Sequence, residues 1–157
     1  MKRYRLFIDF CFIVFLLIQT ELFIGMDTEY YEYIVARSKS LRNKGFIPDA
    51  DIVYEEGNPS CGDLLKIYIK LSPDKSKIDD IKFEGKGCTI SMVSADILAD
   101  MVKGKKLNEA IKLEKKDLVD ELGIDLSPIR IKCALLSYKI FKMGVYGIKI
   151  NDESIHD

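Results

Sequence analysis

The segment "DLLKIYIKLS" (63–72) constrains the fold more than any other part of the chain, because its apolar and polar residues alternate. One side carries four aliphatic residues and the other carries lysines and a tyrosine, namely Leu65, Ile67, Ile69 and Leu71 against Lys66, Tyr68 and Lys70. Such alternation is typical of a β-strand with one buried face. The sequence therefore predicts a sheet that is covered on one side only.

The neighbouring segments predict two further strands and a series of helices. "DIVYEE" (51–56) has an alternating, β-branched character, and "IDDIKFEGKG" (78–87) follows the turn "SPDKSK" (72–77) as a hairpin partner. Helices are predicted over residues 28–43, 91–104, 107–113, 115–123 and 127–147, with Thr28, Ser91 and Ser127-Pro128 at their starts. The predicted fold class is α+β: a three-stranded antiparallel sheet with helices packed on one face and a long C-terminal helix.

The composition excludes several classes of function. The chain has 157 residues, of which 48% are apolar, so it can bury a single core and is not a disordered chain. Its formal net charge of -1 gives no support to nucleic-acid binding, which usually shows as a basic excess. The one histidine, His156, lies in a polar tail, so histidine-based acid–base catalysis and histidine-rich metal sites are excluded.

Residues 1–25 form a hydrophobic N-terminal extension whose role the sequence leaves open. The longest uninterrupted apolar run, residues 10–18, would span roughly 14 Å as a helix, against about 30 Å of bilayer hydrocarbon. Three interpretations stand: an over-extended reading frame with Met26 as the true start, a membrane-associated or targeting segment, or an added helix. We expect residues 26–150 to form the folded domain in the cytoplasm and residues 151–157 to be a polar tail.

Three of the four cysteines lie at or beside the ends of predicted elements. Cys61 lies on the bend "NPSCGD", Cys88 follows "GKG" before a helix, and Cys133 lies in the first turns of the last helix. If these ends converge, Asp63 can reach the same point. Three thiolates and a carboxylate are a four-ligand set for a tetrahedral metal or an iron–sulfur cluster. The alternative is three unrelated small hydrophobic residues, and Cys11 is expected to lie elsewhere.

The segments "NPSCGD", "GKGCTISMVSADILADMVKGK" and "RIKCALLSYK" together resemble the IscU/SufU/NifU N-terminal family of iron–sulfur cluster assembly scaffolds. The resemblance covers roughly residues 28–146, with the motifs in the same order. It implies that a transient [2Fe–2S] cluster, iron or zinc binds at Cys61, Asp63, Cys88 and Cys133. It also implies a scaffold or carrier, not an enzyme, which takes sulfur from a cysteine desulfurase and passes the cluster to apo iron–sulfur proteins. Cys133 is then the candidate sulfur acceptor.

The chain combines features of two branches of that family. The IscU branch has a histidine before its third cysteine, where this chain has Lys132, and "RIKCA" is closer to the SufU branch. SufU-type chains carry an insertion between the second and third cysteines, and the short span of residues 89–132 lacks it. Residues 126–130 keep little of the Leu-Pro-Pro-Val-Lys run that IscU chaperones recognise, so a dedicated Hsp70-type partner has weak support.

Two other functions stay open at this stage. A zinc-dependent sulfurtransferase would accept persulfide sulfur from a cysteine desulfurase and relay it. A structural zinc domain would instead use the metal for stability and bind a partner. Asp63 separates a transfer site from a structural zinc site, because a carboxylate is a harder and weaker ligand than a thiolate and makes a bound cluster easier to release.

Overall fold

The computed structural model describes residues 29–59 and 61–153, which form three strands and five helices in this part of the chain. The strands are β1 (Ile52–Asn58), β2 (Asp63–Leu71) and β3 (Ile78–Lys86). Helix α1 covers residues 29–38. It is followed after the sheet by α2 (Thr89–Val102), α3 (Leu107–Ala110), α4 (Lys115–Leu122) and α5 (Pro128–Glu153). The predicted α+β class, with a three-stranded antiparallel sheet and a long C-terminal helix, is confirmed.

The sheet has the order β1-β2-β3, and both neighbouring pairs are antiparallel. The alternation in β2 gives a buried face and a solvent-facing side, as the sequence predicts. The register aligns Asn58 at the end of β1 with Asp63 at the start of β2. This alignment closes a short hairpin loop around Cys61, so the register of the sheet decides where the first cysteine lies.

Helices α2 and α5 pack against each other and cover the buried face of the sheet. The core between the layers is built from large aliphatic and aromatic side chains, among them Leu65, Ile69, Phe83, Leu98, Ile140 and Phe141. Full burial of each such side chain stabilises the fold by about 1.5–3 kcal/mol. Gly144 lets α5 approach β1, because a Cβ there would lie 3.1 Å from Ile52 Cγ2 and 3.3 Å from Tyr54 Cβ.

A buried polar cluster, not foreseen from the sequence, joins α1, the following loop and α2. Arg37 Nε donates to Asp96 Oδ2 at 2.7 Å, and the backbone N–H of Asn43 donates to Asp96 Oδ1 at 2.7 Å. Asp100 accepts hydrogen bonds from the side chains of Arg37 and Asn43. The same loop covers the edge of the sheet, where Phe83 N–H donates to the Asn43 carbonyl at 3.0 Å.

Several predicted boundaries differ from the structure. Helix α1 ends at residue 38 and not, as predicted, at residue 43, because residues 43–45 pair with the edge of β3. Helix α2 begins at Thr89 with Cys88 as its N-cap, so the assignment of Ser91 as the cap was wrong. The side chain of Cys88 accepts the hydrogen bond that caps the helix. Strand β1 continues to Asn58, beyond the predicted strand end at residue 56, and α5 continues to Glu153, beyond the predicted helix end at residue 147.

Some predictions fall on residues outside the described part of the chain. They concern the extension 1–25, the proposed cap Thr28, Cys11 and the tail with His156. They stay predictions, as does the division of the chain into an extension, a domain and a tail. Among the helices of the described ranges, none combines the length and apolar character that crossing a membrane requires.

Candidate metal centre

The loop between β1 and β2 holds Cys61 in a tight turn. The carbonyl oxygen of Asn58 accepts hydrogen bonds from the backbone N–H groups of Cys61 at 3.2 Å and Gly62 at 2.9 Å. Gly62 has a φ of +70°, a conformation that glycine adopts without steric cost. The turn leaves Cys61 half-buried, with its sulfur directed toward helix α5.

Cys133 lies in the second turn of α5, and its sulfur contacts the sulfur of Cys61. The two sulfur atoms lie 2.8 Å apart, and both cysteines are free thiols. A disulfide would require about 2.05 Å between the sulfur atoms, so the two cysteines are in close contact without a covalent bond between them. Cys133 is 3% exposed, which places this sulfur at the inner wall of the site.

Asp63 supplies a buried carboxylate to the same place. Its Oδ1 accepts the backbone N–H of Cys88 at 3.1 Å, while Oδ2 is buried and has no hydrogen-bond partner among the described residues. Gly87 makes room for this arrangement, because a Cβ there would lie 2.7 Å from Ser91 Oγ and 3.1 Å from Asp63 Oδ1. An unpaired buried carboxylate oxygen is costly, so a cation, or a proton donor such as the neighbouring Cys133 thiol, is expected to complete it.

The structure brings three of the four predicted ligands together. One ligand atom each from Cys61, Asp63 and Cys133 lie within 4.8 Å of one another. The sulfur of Cys88 is not part of this group. It is exposed and accepts the Ser91 backbone N–H at 3.4 Å as the N-cap of α2. Cys88 nevertheless borders the site through its own N–H, which binds Asp63.

Burial and neighbouring negative charge disfavour a lone thiolate at Cys133. Burial raises the pKa of the Cys133 thiol, and the hydrogen bond with Cys61 and the charges of Cys88 and Asp63 raise it further. The same surroundings favour a bound cation, which would replace the thiol protons and neutralise the converging negative charges. Two sulfurs and one free carboxylate oxygen are a fitting donor set for zinc or for iron of a cluster.

A cavity of about 620 Å³ borders the site on the side of α5. Its wall includes Asn58 and Pro59 from the cysteine loop and three lysines, Lys115, Lys132 and Lys139. Lys139 is paired with Glu56, which lies on the same wall. The cavity therefore gives the cysteine loop a positively charged flank, in which Lys132 stands next to Cys133 in sequence.

The fold and the site define a class of small α+β domains with a cysteine–aspartate centre at one end of the sheet. The chain belongs to the NifU-like N-terminal domain family, which matches residues 29–153. The family predicted from the three sequence motifs is therefore confirmed.

Individual relatives of the chain include proteins named SufU and proteins named IscU. The chain is 37% identical over 138 residues to the zinc-dependent sulfurtransferase SufU of Bacillus subtilis (strain 168), covering 77% of this chain and 92% of that protein. It is 35% identical over 120 residues to the iron–sulfur cluster assembly scaffold protein IscU of Aquifex aeolicus (strain VF5), covering 76% of each chain. A solved SUF-system scaffold structure from Fervidobacterium islandicum AW-1 has a TM-score of 0.63 at 30% identity, covering 73% of this chain and 94% of that chain.

One residue at the centre was not singled out from the sequence. Asn58 Nδ2 donates to Cys61 Sγ at 3.5 Å and lies 4.0 Å from Cys133 Sγ. In the sequence, Asn58 precedes a proline and is typical of a turn. This turn pattern explains the asparagine by its backbone conformation and gives no sign that its side chain contacts the cysteines. Its place between two elements far apart in sequence depends on the packing of α5 against β1.

Proposed function

We propose that the protein is a scaffold on which a [2Fe–2S] cluster is assembled from iron and desulfurase-derived sulfur, and from which the cluster passes to apo iron–sulfur proteins. The observation that carries this proposal is the convergence of Cys61, Asp63 and Cys133 on one point. The names of two relatives, a cluster assembly scaffold from Aquifex aeolicus and one for the SUF system, support the same function.

The three residues would have different roles toward such a cargo. Cys133, on a long and packed helix, would provide the rigid inner ligand, and Cys61, on a short loop, the outer one. The free oxygen of Asp63 would be the weakest ligand, because a carboxylate is harder than a thiolate. Cys88 would be the fourth ligand, and its sulfur would have to leave the Ser91 N–H to join the others.

Anaerobic reconstitution tests the scaffold function directly. The full chain would be incubated with ferrous iron, cysteine, a cysteine desulfurase and a thiol reductant, which reduces the persulfide sulfur to sulfide. Cluster formation would be followed by its visible absorption. We expect a [2Fe–2S] spectrum and transfer to an apo-ferredoxin, both lost in Cys61→Ser and Cys133→Ser. Cys11→Ser is the matched control and should behave as wild type. A normal spectrum in the Cys61 and Cys133 variants would contradict the proposal.

A second candidate function is a zinc-dependent sulfurtransferase, and the position of Cys88 favours it. Zinc would supply charge neutralisation and a structural anchor for Cys61, Asp63 and Cys133. Cys88 would stay exposed at the start of α2, where its sulfur could attack the outer sulfur of a desulfurase persulfide and release the desulfurase thiolate. The Bacillus subtilis relative carries this function in its name.

The position of the persulfide distinguishes the two candidates. The zinc-loaded chain would be incubated with desulfurase and cysteine, alkylated, and mapped by peptide mass spectrometry. A persulfide on Cys88 without cluster formation would favour the sulfurtransferase. A persulfide on Cys133, the acceptor predicted from the family resemblance, together with cluster formation in the presence of iron, would favour the scaffold.

A further inference from the structure

Asn58 occupies the junction between the two elements that carry the converging cysteines. Its backbone carbonyl accepts two N–H groups of the cysteine loop, and its side-chain Nδ2 donates to Cys61 Sγ at 3.5 Å. The same Nδ2 lies 4.0 Å from the sulfur of Cys133 on α5. One amide group thus reaches both sulfurs, which lie 2.8 Å from each other.

The chemistry of the amide fits metal-bound sulfur better than free thiols. A metal-bound cysteine sulfur carries negative charge and has only acceptor capacity, whereas an amide NH₂ has two donor hydrogens. Hydrogen bonds to a charged acceptor are stronger than those to a neutral one. Such donors therefore stabilise the metal-bound form of the pair more than the metal-free form, and they lower the energy of the sulfur electrons.

We infer that Asn58 is a positioning residue that orients Cys61 and Cys133 toward the bound metal and sets how strongly their sulfurs donate to it. This inference rests on the proposed function, because it requires a metal or cluster at this centre. Asn58 does not bind the metal itself. It acts through the two sulfurs, which is the role that outer hydrogen bonds have at metal sites in general.

Cobalt substitution provides the test, because the sulfur-to-cobalt charge-transfer band reports the electron energy of the sulfur ligands. The metal-free full chain would be titrated anaerobically with Co²⁺ for wild type, Asn58→Leu, Asn58→Gln and Glu56→Gln. Leucine keeps the approximate size of asparagine without its donors, and glutamine restores an amide on a longer arm. Glu56 lies two residues before Asn58 on β1 and lines the same cavity, so its variant is the matched control.

For Asn58→Leu we expect a charge-transfer band at lower energy and a Co²⁺ dissociation constant about tenfold higher, the lower end of the range for outer hydrogen-bond partners. Asn58→Gln should recover part of both changes, and Glu56→Gln should match wild type. A band in Asn58→Leu that is unshifted would overturn the inference, even if affinity falls, because a purely structural role of the loop lowers affinity without changing the sulfurs.

The outcomes also separate this inference from the function on which it rests. A charge-transfer band in wild type that disappears in Cys61→Ser and Cys133→Ser, but is unchanged in Asn58→Leu, would overturn the inference alone. The absence of any sulfur-to-cobalt band in wild type would overturn both. Thermal melting of the metal-free proteins checks that Asn58→Leu is folded. If it is not, Asn58→Gln decides: a charge-transfer band at lower energy than in wild type supports the inference, and a band at the wild-type energy overturns it.

Discussion

Asp96 and Asp63 are both buried carboxylates, at 0% and 4% exposure, but the fold satisfies only one of them completely. Both oxygens of Asp96 accept hydrogen bonds, from Arg37 and from Asn43. Asp63 has a partner for Oδ1, while its Oδ2 has none among the described residues. The comparison teaches that incomplete hydrogen bonding, and not burial, distinguishes Asp63, which we propose as a metal ligand, from Asp96, whose hydrogen bonds join α1 to α2.

The largest effect is expected at Asp96. Asp96→Ala would leave the Arg37 guanidinium, 7% exposed, with Asp100 as its remaining carboxylate, and would leave the buried Asn43 N–H without its acceptor. Breaking a buried ion pair on one side typically costs about 3–5 kcal/mol in the free energy of unfolding. Urea unfolding of the metal-free chain measures this loss.

The control for Asp96 is an exposed aspartate in an ion pair. Asp120 pairs with Lys116 one helical turn away, and its side chain is 58% exposed. Asp120→Ala should cost no more than about 0.5 kcal/mol. If Asp96→Ala were as mild as Asp120→Ala, the cluster around Asp96 would not be the structural element that we describe.

Asp63→Ala is expected to change the free energy of unfolding less than Asp96→Ala does, but to change cluster retention and transfer more. Asp63→Ala removes one hydrogen bond to Cys88 and also an unpaired buried oxygen, so the metal-free chain should change in stability by less than about 1 kcal/mol. The loaded variant should hold its cluster longer and transfer it more slowly to an apo-ferredoxin, because the weakest ligand is gone. Cluster half-life and transfer rate measure this.

The structural zinc domain makes the opposite prediction for the same variant. There, the loss of a ligand lowers metal affinity and the melting temperature together, since metal binding contributes to folding. Asp63→Asn is a useful companion, because it keeps an acceptor for the Cys88 N–H and changes only the charge. Faster loss of the cluster together with a lower melting temperature would argue for the structural domain.

The smallest effect is expected from the pH dependence of Asp100. Partial burial raises the pKa of Asp100, but hydrogen bonds from Asn43 and Arg37 outweigh burial and hold that pKa below its ordinary value. Because the folded-state pKa is the lower one, the stabilisation is present above the unfolded pKa of about 3.9 and is lost as pH falls through the folded pKa. Asp100→Asn should therefore flatten the decline of unfolding free energy below a pH of about 4. An unchanged acid limb would show that Asp100 does not titrate in this way.

The sequence by itself determined the fold class and the identity of the family. Alternation in β2 specified a sheet with one buried face, because side chains of a strand point alternately to its two sides. Turn residues around Cys61 and the order of three motifs specified the family. These features are local, so a linear pattern contains all the information that they need.

Only the tertiary structure decided which groups meet. The pairing of Arg37 with Asp96 and the contact of Asn58 with Cys133 join residues that are distant in the chain, and no periodicity predicts them. The sequence also did not predict the separation of the Cys88 sulfur from the other three candidate ligands, because it depends on whether this sulfur caps α2 or turns inward. Such choices follow from the packing of α2 and α5 against the sheet, which sets side-chain distances on the scale of a single hydrogen bond.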